Sequence, residues 1–234
     1  MLPGVLAILA AVGWLADPVS LAVIIAAQLA VGGLGAAYLL GPVQPALGYA
    51  RYATLAVSSV AMTLVGRLLP DGASLLLVPL AVAVLWGVLH VEVRTVRQPG
   101  SRTALDLLLT TVVFAAAAGI AQLVAPAPWP PAIVPLGIVL AVLVMRQAEA
   151  RGRTGAAAVG QGILHLIGAV QIALAVSLLT LPGVVGPAVV ALAFYIWGGA
   201  AESLEEGAAG RAVAFEFGAL ALLGLAVAIG FARG

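Results

Sequence analysis

The chain has 234 residues, 64% hydrophobic and 8% charged, with a mean hydropathy of +1.22 and a net charge of +1. An ordinary soluble domain carries about 25% charged residues, so water cannot solvate a surface built from this composition and lipid is the solvent that suits it. The near-zero charge gives no field for nucleic acid. The absence of cysteine removes disulfides, thiolate metal sites and cysteine nucleophiles together.

Lysine and asparagine are also absent. Their codons are adenine-rich, which points to a GC-rich bacterial genome, and without asparagine there is no N-glycosylation acceptor. The expected fold is all-α: one integral membrane domain over 1–234, a polytopic transmembrane helix bundle of about nine spans. A spanning helix needs roughly 20 predominantly apolar residues, and proline, glycine and charge divide the chain into nine such segments.

The first, 2–16, is short and ends at Asp17-Pro18; if it does not cross, eight spans remain. It lacks a basic leading region, and Trp14 stands where a signal-peptide cut after Ala16 needs a small residue, so it is kept as part of the mature fold. Next come 19–41 and 49–69. The small-residue run VGGLGAA at 31–37 offers a close-packing face, Gln28 lies near the midplane, and Arg67 and Asp71 read as a clasp at the end of the third segment. The fourth segment, 73–93, ends as HVEV, which places His90 and Glu92 on opposite sides of a helix, and Trp86 within it reads as buried packing.

The fifth segment, 104–124, opens at Asp106, four residues after Arg102, where a helix N-terminus favours an acid; it carries a second small-residue face, AAAAG. The sixth and seventh are 131–146 and 156–179. The seventh holds a third small-residue run, GAAAVGQG, followed by His165, with Gln161 one turn earlier on the same side. An imidazole there can relay a proton or simply pack with a hydrogen bond. Gln122 and Gln171 are further midplane polar residues.

The eighth segment, 184–201, leads into AESLEEGAAGR. Glu202, Glu205 and Glu206 share one side of a helix, as the solvated end of a hairpin or as the mouth of a cation or proton path in which Glu202 stands closest to the membrane. The ninth, 211–231, contains Glu216 between Phe215 and Phe217. A bare carboxylate inside a span must be paired, protonated or wetted, and Arg211 is the nearest pairing group in sequence.

Arginine sets the orientation. Placing the turns near 42–52, 94–103, 146–155 and 202–211 in the cytoplasm puts eight arginines inside against Arg67 and Arg233 outside. The N-terminus is then cytoplasmic and the C-terminus outside if nine spans cross, in a bacterial inner membrane. Trp14 and Trp129 fall at the outer interface and Tyr49, Tyr52, Tyr195 and Trp197 at the inner one. Pro79, Pro135 and Pro187 each stand early in an inward-running helix, which suggests repeated helical hairpins.

The candidate binding or proton-path residues are thus Glu216, His165, Gln161, Glu202, His90 and Asp106. No catalytic residue is assigned, since no nucleophile, phosphate-loop or zinc motif is present, and no metal or cofactor is expected. The expected partners are membrane lipid and a second copy or another membrane subunit, and not nucleic acid. Three functions compete: a small transporter or channel-like protein for protons or a small solute, a non-catalytic subunit of a larger complex, and an intramembrane enzyme acting on lipid.

Overall fold

The computed structural model describes residues 1–41, 48–69, 74–97, 102–124, 130–178, 181 and 183–233. Among these the chain forms nine α-helices: α1 Leu2–Leu15, α2 Pro18–Leu40, α3 Arg51–Gly66, α4 Ser74–Arg97, α5 Arg102–Val124, α6 Pro130–Ala150, α7 Ala156–Leu178, α8 Val185–Glu205 and α9 Gly210–Arg233. Asp71, Trp129 and the turn at 125–129 lie outside the described residues, as do the side chains of Arg102 and Gln122.

Local chemistry sets the helix ends. Pro18 opens α2 at a position that needs no amide hydrogen, and the Asp17 carboxylate accepts from the amides of Val19 and Ser20 at 3.0 and 3.2 Å. The Ser20 hydroxyl also donates to Asp17 at 2.5 Å, and these bonds hold the Asp17 carboxyl below its usual pKa. At the other end of the bundle α8 stops at Gly207, whose φ of +86° suits a residue without Cβ. The amides of Gly207 and Ala208 turn back onto the carbonyls of Leu204 and Ser203, which is the Schellman pattern that satisfies the last carbonyls of a helix.

α3 occupies the centre, packed by α1, α2, α4, α5 and α6, and α5 links it to α8. α1, α2 and α4 wrap one side of α3; α7, α8 and α9 lie beyond α5 and α6. Close approach is built from glycine. A Cβ at Gly32 of α2 would come within 2.7 Å of the Ala56 backbone, and one at Gly119 of α5 within 2.6 Å of the Leu64 backbone. The first two small-residue faces therefore both press on α3. Of the glycines in the third, Gly155 and Gly160 meet open space and Gly162 nears Met145 of α6.

Among the described residues six helices (α2, α4, α5, α7, α8 and α9) are long and apolar enough to cross a membrane, so the architecture fits a multi-pass membrane protein. Two others, α1 and α3, are shorter than a span. α1, with 14 residues, reaches only about 21 Å against a hydrocarbon core of roughly 30 Å. α3 has 16 residues and is surrounded by protein rather than lipid, so Thr54, Ser58, Ser59 and Thr63 are all buried in it.

Those hydroxyls are satisfied. Ser58 donates to the Thr54 carbonyl one turn back, and the Gln28 amide of α2 donates to Ser59 Oγ and Thr63 Oγ1 at 2.8 and 2.7 Å. Gln28, read as a midplane polar residue, is thus a fully buried strut between α2 and α3.

Two tryptophans differ from expectation. Trp14 is buried against α3 and donates its indole N–H to the Met62 carbonyl at 3.0 Å. Trp86 is exposed, because α4 buries its opposite stripe of Ala81, Leu85, Val88 and Glu92. Arg67 reaches back to the carbonyls of Gly13 and Ala16, both at 2.8 Å, and so caps the end of α1.

Candidate functional site

The chain's buried charge gathers at the end of the bundle where α4, α6 and α8 finish. Two regions stand there: one is held by a buried ion pair, although Gln147 Oε1 in it lacks a hydrogen-bond partner among the described residues, and the other opens on a cavity.

The first joins α3, α4, α5, α6 and α8. Arg146 and Glu92, 3% and 1% exposed, form a forked ion pair, with Nε at 2.9 Å from both carboxylate oxygens and Nη2 at 2.6 Å from one. The planar guanidinium matches a carboxylate in this geometry. Glu149, one turn further along α6, accepts the amides of Tyr49 and Ala50 at 2.7 and 3.0 Å. It thereby supplies a negative charge at the positive end of the α3 dipole. Arg151 joins the C-terminal end of α8 to α5, lying 3.2 Å from Glu202 and 3.8 Å from Asp106, while Gln147 donates to Asp106 at 2.9 Å. Glu202 and Asp106 are thus anchored in a cross-helix ion network.

The second region is a cleft of about 460 Å³ between α7 and α8. Gln161 and His165 line it from α7; Trp197, Ala201 and Glu205, spaced four apart on α8, line it from the other side. Alanines at 157, 200 and 201 leave the space open, and Leu164 and Leu204 make most of the wall apolar. At the mouth Arg153 pairs with Glu205, and the Gln161 amide donates to Glu205 at 3.1 Å. The His165 ring meets the Trp197 ring edge to face at 5.8 Å between centroids.

One detail fixes the chemistry of this cleft. His165 Nδ1 lies 2.8 Å from the Gln161 backbone carbonyl. A carbonyl oxygen only accepts, so Nδ1 carries the hydrogen, and in the neutral ring Nε2 presents a lone pair. Neither Nε2 nor Gln161 Oε1 has a hydrogen-bond partner among the described residues, although both are buried. Buried acceptors left unmatched are costly, and here two of them belong to side chains one helical turn apart that line a cavity large enough for a small ligand.

The sequence-predicted residues therefore divide. Gln161 and His165 share the cleft, with Glu205 beside them; Glu202 and Asp106 share Arg151. His90 and Glu216 are exposed on the outer faces of α4 and α9 and do not line the cleft. The His90 and His165 side chains are not brought together, and among the described residues no group of three histidine or acidic side chains is placed to hold a metal. Trp197 and Arg153 complete the cleft without having been singled out by sequence. The signal available was the four-residue spacing of Trp197, Ala201 and Glu205, which matches that of Gln161 and His165 across the helix pair. Comparison of the chain with protein-family models, curated proteins and solved structures finds no match.

Proposed function

We infer that this is a transporter or channel-like protein of a bacterial cytoplasmic membrane, with its arginine-rich end in the cytoplasm and the α7–α8 cleft as its solute site. The observation that carries this reading is the pair of unmatched buried acceptors, His165 Nε2 and Gln161 Oε1, on two side chains that line a largely apolar cleft. Two acceptors call for a ligand that donates: a hydroxyl or an amine on a small apolar body. An anionic head group would meet two lone pairs and the Glu205 carboxylate, which select against it, while Arg153 is engaged by Glu205 at the mouth. Ligand polarity is read by the polar atoms and ligand size by the alanine-lined space.

A direct test adds six-carbon amphiphiles of three kinds to purified protein in nanodiscs: hexanol, hexylamine and hexanoate. Hexanol and hexylamine raise the unfolding temperature by several degrees, as mass-action stabilisation by a ligand requires; hexanoate does not. His165→Phe and Gln161→Leu remove the rise. A rise that is equal for all three compounds, or that survives both substitutions, rejects the site. In proteoliposomes the same substitutions lower flux of the alcohol or amine solute, and unchanged flux rejects the transport role while leaving the binding site standing.

The second reading, a non-catalytic subunit of a larger complex, is favoured by the pairing of Glu92, Glu202, Glu205 and Asp106 with arginines. Such a protein has stability networks at its polar end and lends its outer faces to partners. The two readings part at the cleft: a pure scaffold loses nothing when His165 is replaced by an apolar ring.

A further inference from the structure

α9 is the least covered helix of the bundle. It packs on α8, and among its described residues only Val213 and Ala228 are buried. Its face toward lipid carries Glu216, six residues from the start of the helix at Gly210. α4, which packs on α1, α3 and α5, exposes His90 seven residues before its end at Arg97. Both helices meet the arginine-rich end of the bundle at those termini. At 1.5 Å per residue the two side chains therefore lie at about the same depth, roughly 9–11 Å from that end.

Among the described residues His90 and Glu216 find no hydrogen-bond or ion-pair partner. They are also the exposed histidine or charged side chains, among those residues, that stand more than one turn inside a helix. Ionisable groups facing hydrocarbon are costly unless paired, and these two have complementary chemistry at matching heights on different sides of the molecule.

The neighbouring residues continue the match. α4 and α9 run in opposite directions, so setting His90 against Glu216 brings Trp86 opposite Leu220, Ala83 opposite Leu223 and Pro79 opposite Val227. All six are exposed. They follow the four-then-three spacing that lets two helices interlock along one seam, and each facing pair sets unequal or complementary shapes together.

We propose that the α9 face of one copy docks on the α4 face of a second copy, with Glu216 paired to His90 across the interface. Because the two faces differ, the contact is head to tail, and it closes into a ring or extends as a row of subunits. The proposal does not rest on the α7–α8 cleft.

The test uses the absence of native cysteine. In the full chain, reconstituted in nanodiscs large enough for several copies, Ala83→Cys and Leu223→Cys are introduced with His90 and Glu216 intact. The double variant forms a disulfide ladder of dimers and higher species on mild oxidation, and neither single variant does. Adding Glu216→Gln lowers ladder yield at least several-fold, and the exchange His90→Glu with Glu216→His restores it. Equal cross-linking by a single variant shows a symmetric contact and overturns the proposal. So does the absence of a ladder in a double variant that elutes as folded protein, which leaves lipid or a different protein on these faces.

Discussion

The knot formed by Glu92, Arg146 and Glu149 and the cleft around His165 stand at the same end of the bundle, yet they treat polar atoms in opposite ways. In the knot every oxygen of Glu92 is matched by Arg146, and Glu149 closes the start of α3. In the cleft two buried acceptors on α7, on side chains that line the cavity, lack a hydrogen-bond partner among the described residues. Saturated polar groups specify one packing and leave nothing to offer a ligand. An unsaturated pair retains free energy that a ligand recovers on binding. On the proposed function, the difference separates structural from ligand-binding polarity at one end of the bundle, where composition alone makes all such residues look alike.

The largest expected effect breaks the knot. Glu92→Leu alone strands a buried guanidinium and costs about 3–5 kcal/mol, read as a loss of folded fraction in detergent denaturation. Glu92→Leu combined with Arg146→Met removes both charges and recovers most of that loss. If the double variant is as unstable as the single one, the knot is held by packing and not by charge. Next, Gly32→Val forces α2 from the Ala56 backbone, and overpacking of this kind costs about 1–3 kcal/mol by the same assay. Glu149→Ala removes a carboxylate that accepts two amides at a helix start, with an expected loss of about 1–2 kcal/mol.

The cleft behaves differently. His165→Phe leaves stability within about 0.5 kcal/mol or raises it, while abolishing the response to hexanol. Arg153→Gln at the half-exposed mouth changes stability by less than about 1 kcal/mol and sharpens discrimination against hexanoate, because Glu205 then stands there without its cation. A His165 variant as damaging as Glu92→Leu erases the contrast between the two regions.

Much of the bundle was legible in the sequence, because a bilayer demands long apolar runs and short polar turns. Segment limits and helix limits agree within a few residues except where α4, α6 and α8 continue past 93, 146 and 201 to Arg97, Ala150 and Glu205. Those extra turns are polar, and in α6 and α8 they are tied to neighbouring groups, Gln147 to Asp106, Glu149 to the start of α3, Glu202 to Arg151 and Glu205 to Arg153. The central place of α3 was not legible: its serines and threonines weaken the membrane signal for the same reason that they are buried in protein.

At the site, Gln161 and His165 stood out as polar residues inside an apolar run. Their partners did not, since Trp197 reads equally well as an interface anchor and Glu149 as one more charge in a turn. Which acids pair and which stay exposed depends on helix rotation, and the hydrophobic pattern of α9, apolar on nearly every side, carries little information about that. Glu216 and Glu92 look alike as isolated acids near helix ends; one faces outward and the other is locked to Arg146.

The chain has only two histidines, which makes the cleft directly observable. With imidazole ¹⁵N labels in nanodiscs, and His90→Gln to assign the signals, the neutral His165 ring is predicted to be protonated at Nδ1 with a bare Nε2. Titration with hexanol then shifts the His165 Nε2 resonance toward that of a hydrogen-bonded acceptor and leaves His90 unmoved. A His165 ring protonated at Nε2, or a hexanol titration that leaves its resonances in place, contradicts the account.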